Sequence, residues 1–569
     1  MKKLKFSNET LFRRKSAEAI VRDSDQVKLE KKLTVKDLTV FGVAALIGTG
    51  IFATIGLAAY SGGPGVSLLF IFTAVACAFT GLAYAEFASM VPVAGSSYTY
   101  SYVAFGELPA WCIGWAMVLE YSIGNISVAI SFSDYFSTLF YQITDVSLPA
   151  WITTNYVTAS GSYEVIQSQL NAGKTWDTVS QLPEFANRLE GFLAWKTAPQ
   201  VSGFRIIADV PALLATLGMM ALVYRGIRES SWVGAVLVVI KVTVLLLVVS
   251  VGAFFIHPDH WQPFLPHGAS GVLMGVSAVF YAYIGFDAIA TVSEECINPR
   301  RDVPKAIFYS LAISTVLYVL VALVITGMVN YRELNVGDPL AYVFGKFPQM
   351  RWLTGVVSFG GVMAIASILL VYLIGQPRIW MSMSRDGLMP PIFGRIHPRF
   401  HTPAFATLVS GALVAVPTLF LDMNAVVDAG SISTLFAFVL VCGGILRLRN
   451  SPAYLQRSFQ LRYISGRWIV FGLLGLSLYF KGAAYWLSAP WITGAQWPEL
   501  LFWVVFVFLA IQSYRLRLSL IPTLGLLTCL YMMAQMGWKN WFWFGIWQLA
   551  GLVIYLTYGY RHSQLSTDA

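Results

Sequence analysis

Three ionisable side chains lie deep inside apolar stretches of this sequence, where a charge is costly. Lys241 lies in "SWVGAVLVVIKVTVLLLVVSVG", ten residues after Ser231, which corresponds to about 15 Å along a helix. Glu120 lies in "MVLEYSIGN" and Asp287 in "YIGFDAIA". Ionisable groups at membrane depth commonly bind a ligand or carry a proton. We therefore expect Lys241, Glu120 and Asp287 to take part in proton coupling.

Each of these side chains also has a structural interpretation. Lys241 could extend to the membrane interface, although its depth makes water hard to reach. Because burial favours the neutral amine, we expect it to gain and lose a proton. Glu120 could form a structural hydrogen bond to a neighbouring helix, and Asp287 could cap a helix that restarts just before it.

Two apolar stretches contain residues that weaken a helix. Residues 41–52 read "FGVAALIGTGIF", with Gly48-Thr49-Gly50 at their centre, and "SAVFYAYIGFDAIATVSEE" places Gly285 in mid-span. Non-helical backbone is tolerated in a membrane only where protein buries it or a cavity adjoins it. Freed N–H groups attract a carboxylate, and freed carbonyls attract an ammonium. The pair of breaks therefore predicts a site for a zwitterionic α-amino acid; close helix packing through small residues is the alternative.

The composition is that of a membrane protein. The 569 residues are 57% hydrophobic and 12% charged, against about 25% charged in soluble proteins. Apolar runs of about 20 residues predict fourteen spans, near 38–60, 66–89, 109–136, 206–224, 231–256, 270–293, 306–329, 353–381, 404–421, 425–446, 468–487, 498–514, 518–537 and 540–560. Broken helices in the first and sixth spans are typical of transporters built from two inverted repeats.

The basic residues predict the orientation of these spans. Alternate loops are rich in arginine, including "YRGIRES", "ECINPRRDVPK" and "RLRNSPAYLQRSFQLRYISGR", as expected for cytoplasmic loops. The net charge of +9 then reflects topology, so no nucleic-acid partner is expected. Both termini are predicted to be cytoplasmic, in a multi-pass protein of the plasma or bacterial inner membrane surrounded by lipid.

Residues 140–205, between the third and fourth spans, are polar and mixed in charge. Their helix-like spacing places Leu182, Phe185, Leu189 and Phe192 on one face. A small outer cap and a partly ordered loop without function are equally good interpretations of this segment.

Several motifs together resemble the APC superfamily of amino acid permeases, in particular the cationic amino acid transporters and their bacterial proton-coupled relatives. They are "IGTGIF", "GSSYTYSY", "WAMVLEYSIGNISVAISFSDYF", "FYAYIGFDAIATVSEECINPRRDVPKAI", "GQPRIWMSMSRDGLMPPIF" and "GLVIYLTYGYRHS". The resemblance covers nearly the whole chain but not the loop 140–205. It implies an all-α polytopic protein with a LeuT-type 5+5 inverted repeat and four C-terminal helices.

On this resemblance the chain is divided as follows: a cytoplasmic tail 1–37, a first repeat 38–256 that includes the outer loop 140–205, a second repeat 270–446, four further helices 468–560 and a tail 561–569.

The resemblance also implies where a substrate would bind. The carboxylate would be held by Gly48, Thr49 and Gly50, and the amino group by the carbonyls of Leu46, Tyr281, Ala282 and Ile284. Lys241 would replace the sodium ion of the LeuT-type transporters by bridging the first and eighth spans. In the eighth span, Ile365 would line the side-chain pocket and shorten it. We interpret this as a preference for small or medium neutral amino acids.

The expected function is secondary active transport of L-amino acids by alternating access, driven by proton symport. A carrier of cationic amino acids and an obligate exchanger remain alternatives. No catalytic motif, cofactor motif or metal spacing is found, and the histidines lie in loops or the tail, so an enzyme is not expected. Amino acid, protons and lipid are the expected partners; a small membrane subunit is left open.

Overall fold

The computed structural model describes residues 12–14, 33–90, 96–182, 185, 188–225, 231–291, 296–400, 402–449, 463–487 and 497–566. Most of the predicted N-terminal tail, part of the C-terminal tail and the loops 450–462 and 488–496 lie outside them. The apolar runs fold as helices because a helix satisfies every backbone hydrogen bond within its own segment.

The first half of the chain contains the helices that surround the predicted first break and the cap. They are α1 (Val35–Leu46), α2 (Ile55–Gly62), α3 (Val66–Met90), α4 (Ser96–Ala104), α5 (Glu107–Thr144), α6 (Tyr156–Asn171), α7 (Trp176–Gln181), α8 (Leu189–Thr197), α9 (Val210–Arg225) and α10 (Ser231–Gly252). A hairpin of β1 (Gln200–Val201) and β2 (Phe204–Arg205) joins α8 to α9.

The second half begins with short helices and continues with long ones. They are α11 (Gly268–Val272), α12 (Val276–Tyr281), α13 (Ala288–Thr291), α14 (Pro299–Met328), α15 (Pro339–Gly345), α16 (Arg351–Arg385), α17 (Ala404–Thr418), α18 (Met423–Arg449), α19 (Arg467–Leu487), α20 (Trp497–Leu516), α21 (Leu520–Gln535), α22 (Trp538–Ile554) and α23 (Tyr560–His562).

These helices confirm a polytopic, predominantly helical membrane protein. Within the described ranges, eight helices are long and apolar enough to cross a membrane, and α1 with residues Gly50–Gly62 forms a further span bent by 43°. Four shorter apolar helices add to them. The number fourteen and the 5+5 repeat stay predictions.

The centre of the molecule is built around α5. This helix packs against α16 and α18, while α14 packs against both α3 and α1. Helix α10 contacts α1 and α16. Every helix that carries a predicted site residue therefore belongs to one continuous buried core.

The segment after α5 forms a cap with cores of its own. Ile166, Val179, Phe185 and Phe192 form one of them, and Leu182 and Leu189 pack against it. The predicted apolar residues are thus packed together, but not on one helix: Leu189 and Phe192 lie on α8, whereas Leu182 and Phe185 lie between α7 and α8. Leu182 adopts an extended backbone, with ψ 122°, because it precedes Pro183, and proline disfavours the helical conformation of the residue before it.

Two buried carboxylates tie distant parts of the chain together. Glu86 of α3 is fully buried and forms a two-point ion pair with Arg449, with Nη2 to Oε2 at 2.6 Å and Nε to Oε1 at 3.2 Å. Glu107, also fully buried, accepts hydrogen bonds from the hydroxyl groups of Tyr102 at 3.1 Å, Tyr555 at 2.9 Å and Ser563 at 2.5 Å.

Candidate functional site

The first break is a short interruption followed by a π-helical turn. Helix α1 ends at Leu46, Ile47 has an extended backbone, and the π turn runs over Gly50–Thr54. Gly48 lies against α16, because a methyl group placed on it would come within 1.8 Å of Ile368 Cδ1. Glycine is required here by the close approach of two helices as well as by the break.

Three carbonyl groups around this break accept hydrogen bonds from side chains. Lys241 Nζ donates to the carbonyl of Ala44 at 3.4 Å, and the Tyr318 hydroxyl donates to that of Leu46 at 2.7 Å. Thr54 Oγ1 donates to the Gly50 carbonyl at 2.6 Å.

The N–H groups of the same break are free. Within the part of the chain that the structure describes, no backbone acceptor is found for the N–H groups of Gly48, Thr49 and Gly50. All three residues are buried. The first break therefore presents donors, as an anion requires.

The second break is longer and has the opposite character. Helix α12 ends at Tyr281, six residues follow in turns, and Gly285 takes a φ of +116° that favours glycine. The N–H groups of Gly285, Asp287 and Ala288 lie within hydrogen-bonding reach of the Asp287 carboxylate.

The carbonyls predicted to hold an ammonium differ in their partners. That of Tyr281 accepts the N–H of Ile284 at 3.3 Å, and Leu46 is engaged by Tyr318 as described above. For the carbonyls of Ala282 and Ile284, no donor is found in the described ranges. This break therefore presents acceptors.

The two breaks touch each other. A methyl group placed on Gly50 would lie 2.3 Å from Ala282 Cα, and one placed on Gly285 would lie 2.8 Å from the Ala45 carbonyl oxygen. Thr54 joins them further, because its Oγ1 also contacts the Ala278 carbonyl at 3.1 Å. Free donors and free acceptors are thus brought together at the point where Gly50 meets Ala282.

Lys241 lies beside the first break. Its side chain is 2% exposed, so it does not extend to the interface, and Nζ points at the last turn of α1. Helix α10 also packs against α16, where Gly360 contacts Val244. Lys241 thus contacts the first span; its role and the bridge to the eighth span stay predictions.

Glu120 and Asp287 lie in the same region. Glu120, on α5, neighbours the Thr434 side chain of α18, and its carboxylate is close enough to Asp287 for the two charges to repel each other. Asp287 is surrounded by N–H groups of its own break, which is the capping geometry that the sequence allowed. Their roles in proton coupling stay predictions.

Ile365 is fully buried on α16. It lies one turn before Ile368, the residue that contacts Gly48, so the eighth span does adjoin the first break.

Tyr281 is buried and its hydroxyl makes a short hydrogen bond to Ser127 of α5, while Gly430 of α18 packs against its ring.

Sequence reasoning missed two hydroxyl groups that contact the first break and one buried amide on α5. The hydroxyl of Tyr318 reaches Leu46 across 272 residues, and that of Tyr135 donates to the Phe52 carbonyl at 2.6 Å. Asn125 is fully buried on α5 with both side-chain polar atoms unpaired within the described ranges. For Asn125, the sequence indicates a buried polar group only by placing an amide within the apolar stretch "EYSIGNISV". No group of three or more His, Cys, Asp or Glu residues that could hold a metal ion occurs among the residues described.

Broken helices that contact each other inside a bundle of apolar helices define a multi-pass membrane protein of the transporter type. The sequence profile described as "Amino acid permease" matches residues 33–511, and that described as "C-terminus of AA_permease" matches residues 518–563. The chain belongs to this amino acid permease family.

Individual relatives are similar over nearly their whole length. The branched-chain amino acid permease BcaP of Bacillus subtilis is 32% identical over 559 residues, covering 98% of this chain and 99% of the relative. The methylthioribose transporter of the same organism is 34% identical over 513 residues, covering 90% and 99%. Cationic amino acid transporter 4 of Homo sapiens is 31% identical over 610 residues, covering 95% and 88%.

Proposed function

We propose that this protein is a secondary active transporter that moves L-amino acids by alternating access, coupled to protons. The observation that carries the proposal is the contact between a break with free N–H groups and a break with free carbonyls. An α-amino acid needs both within a few ångströms, because its carboxylate and ammonium share one carbon atom. Gly48, Thr49 and Gly50 would bind the carboxylate, and Ala282 and Ile284, with Leu46 and Tyr281, the ammonium.

The helix packing supports a 5+5 inverted repeat. The helices that follow the two breaks, α3 and α14, pack against each other, and so do the next long helices, α5 and α16. Such pairing of equivalent helices is expected when two repeats face each other across a pseudo-twofold axis. With this arrangement the termini would be cytoplasmic and the cap would lie on the outer side of the plasma or inner membrane.

We further propose that Lys241 carries the coupled proton, with Glu120 as a second titrating group. Protonated, Lys241 would hold the last turn of α1 through the Ala44 carbonyl and would stabilise the break in its binding shape. On deprotonation this charged hydrogen bond would be lost, and α1 could move to release the substrate.

Small or medium neutral amino acids are the proposed substrates. The buried Ile365 shortens the region beside the first break, and the name of BcaP specifies branched-chain amino acids. The human relative is named for cationic amino acids, so arginine and lysine form the second candidate class. Methylthioribose has neither a carboxylate nor an ammonium and would not use the paired breaks in this way.

Uptake by purified protein in liposomes tests this proposal. A panel of neutral and cationic amino acids together with methylthioribose should be offered with and without an inward proton gradient. We expect the gradient to drive accumulation of neutral amino acids into empty liposomes. Transport that requires preloaded amino acid and ignores pH would establish an exchanger, and selective uptake of methylthioribose would contradict the zwitterion site.

Variants of Lys241 test the coupling. Lys241→Ala should lose gradient-driven accumulation, and Lys241→Arg, which stays charged at working pH, should bind substrate but not release it. Lys346→Ala is a matched control, since Lys346 is exposed and pairs with Glu333 at 2.9 Å. It should transport normally.

The size of the side-chain pocket is tested at Ile365. Ile365→Ser should admit longer side chains, including that of arginine, and should lower the affinity for valine or leucine by roughly tenfold, since about 1–3 kcal/mol of apolar contact is removed. Competition assays against a labelled neutral amino acid measure both changes. An unmodified protein that already prefers arginine would contradict this role of Ile365.

A further inference from the structure

The hairpin β1–β2 of the cap presents apolar side chains on its surface. Phe204 is 79% exposed, Val201 58% and Ile206 47%. Large apolar groups grouped in this way usually mark an interaction surface.

The hairpin is held firmly in one place. The Ile206 N–H donates to the Pro199 carbonyl at 3.0 Å, and the Ala208 N–H donates to the Trp151 carbonyl at 3.0 Å. Arg205 donates from Nη1 to the Trp195 carbonyl at 2.5 Å, and its guanidinium lies 5.1 Å from the centre of the Trp195 ring. The exposed apolar side chains therefore project from a fixed support.

The apolar stretch of the helix that follows is short for a membrane span. In α9 it runs over residues 210–224, before the charged sequence "RGIRE", and 15 residues give about 22 Å of helix, whereas the hydrocarbon core of a bilayer is about 30 Å thick. Its neighbour α17 has 15 residues. Both helices present exposed apolar side chains outward, among them Leu214, Leu217, Leu408 and Val416.

Only residues 206–209 separate the hairpin from α9, so the hairpin lies close to the N-terminal end of that helix and its exposed apolar side chains. At the junction Asp209 turns inward, where it is 2% exposed and its Oδ1 accepts the Ala212 N–H at 3.0 Å. The apolar hairpin thus stands where α9 alone leaves several ångströms of the bilayer uncovered.

We propose that the hairpin inserts into the bilayer surface on the cap side, with Phe204, Val201 and Ile206 among the lipid chains. Arg205 and Lys196 would lie at the level of the headgroups, as basic residues flanking a span commonly do. The hairpin would then fix the cap against the membrane and complete the apolar length of α9. The bilayer is the occupant that this surface fits, because four residues after the hairpin the chain enters α9, whose outward-facing apolar side chains require lipid in a membrane protein.

A fluorophore attached at residue 204 tests this proposal in the full chain. Phe204→Cys and, as a matched control on the same cap, Lys174→Cys are labelled with an environment-sensitive dye and reconstituted into liposomes without other proteins. Both variants also carry Cys112→Ser, because Cys112 is the partly exposed native cysteine that the dye could label, whereas the other four cysteines are buried. Lys174 lies in an exposed polar stretch between α6 and α7.

We expect the dye at 204 to be quenched by spin-labelled lipid at least threefold more strongly than the dye at 174, and to be protected from aqueous iodide. Equal iodide quenching at both positions would overturn the proposal. Protection that appears only in native membranes would also overturn it, since it would identify a protein partner instead of lipid. Single variants Val201→Cys and Ile206→Cys repeat the measurement, and gel filtration confirms that each labelled protein is folded. No transport is measured, so the result does not depend on the proposed function.

Discussion

The two helix breaks are in contact, yet neighbouring side chains engage opposite halves of the peptide group in them. At the first break Lys241, Tyr318 and Thr54 donate to three carbonyls, and in the described ranges no backbone acceptor is found for the N–H groups of residues 48–50. At the second break the Asp287 carboxylate faces the N–H groups, and two carbonyls are left free. A break alone releases donors and acceptors in equal number. The comparison shows that the neighbouring side chains decide which of them a ligand can use.

The largest effect is expected from Gly50→Leu. Even the first carbon of a side chain here would meet the Ala282 backbone at 2.3 Å, so the two breaks would be forced apart and the donors covered. We expect substrate binding to be abolished, measured by scintillation proximity or calorimetry on protein that remains monodisperse. Gly475→Leu is the matched control, because nothing lies within 4 Å of a methyl group at that position. Unchanged affinity in Gly50→Leu would show that the site lies elsewhere.

A smaller effect is expected when the link between the breaks is removed. Thr54→Val keeps the shape but deletes the hydroxyl that contacts the Gly50 and Ala278 carbonyls. Losing such a buried hydrogen bond costs about 1–3 kcal/mol, so substrate affinity should fall by roughly tenfold. Thr54→Ser, which retains the hydroxyl, should keep most of the affinity. If Val and Ser behave alike, the hydroxyl does not hold the two breaks together.

Asp287→Asn distinguishes the capping role of this residue from proton coupling. The amide oxygen can still accept N–H groups, so a capping residue should lose less than threefold in transport rate and keep accumulation driven by a proton gradient. Glu120→Gln, assayed in parallel, should lose that accumulation. If Asp287→Asn instead loses accumulation driven by a proton gradient, Asp287 takes part in proton coupling and is not only a capping residue.

The smallest effect concerns the support of the first break. Helix α15 contacts the π turn, and Asp338 precedes it with Oδ2 accepting a hydrogen bond from Thr138 at 2.6 Å. Burial raises the pKa of Asp338 from its ordinary value of 3.8 to about 7, with repulsion from Glu190 adding to the shift and the Thr138 hydrogen bond opposing it.

The folded protein binds the Asp338 proton more tightly than the unfolded chain does, so ionisation of Asp338 lowers the free energy of unfolding. This loss of stability is absent below pH about 4, grows between pH about 4 and 7, and stays constant above pH about 7. Asp338→Asn should therefore flatten the fall in thermal stability between pH 4.5 and 7.5, by a few degrees at most. Asp145→Asn is the control, since Asp145 is exposed and pairs with Arg351 at 2.6 Å. Parallel pH profiles of the Asp338 variant and the unmodified protein would contradict this assignment.

The sequence predicted the breaks and the ionisable groups because both are local signals. Gly48-Thr49-Gly50, Gly285 and Lys241 each contrast with apolar neighbours a few residues away. The choice of free donors or free acceptors could not be predicted, because it depends on hydroxyl groups that arrive from distant helices: Tyr318 from 272 residues away and Tyr135 from 83. Which helix packs beside a break is a property of the fold and has no local signature in the chain.

The cap illustrates the same limit at shorter range. The spacing of Leu182, Phe185, Leu189 and Phe192 correctly predicted that they share an apolar core, but not that Leu182 lies outside the helix. The proline that follows Leu182 in the sequence was the available signal, since proline disfavours the helical conformation of the residue before it. The exposure of the hairpin could not be predicted from the sequence, since valine and phenylalanine at positions 201 and 204 are equally typical of a buried strand.

The cluster around Glu107 has a consequence for the order in which the chain is made. Two of its hydrogen-bond donors follow Glu107 by 448 and 456 residues, so at a synthesis rate of about 5–20 residues per second they arrive about 20 to 90 s later. Throughout that interval Tyr102 is the one of these three hydroxyl donors that the chain already contains. Full burial of the Glu107 carboxylate would then be only partly compensated, so this end of the bundle is expected to stay open to water until residues 555–563 have been synthesised.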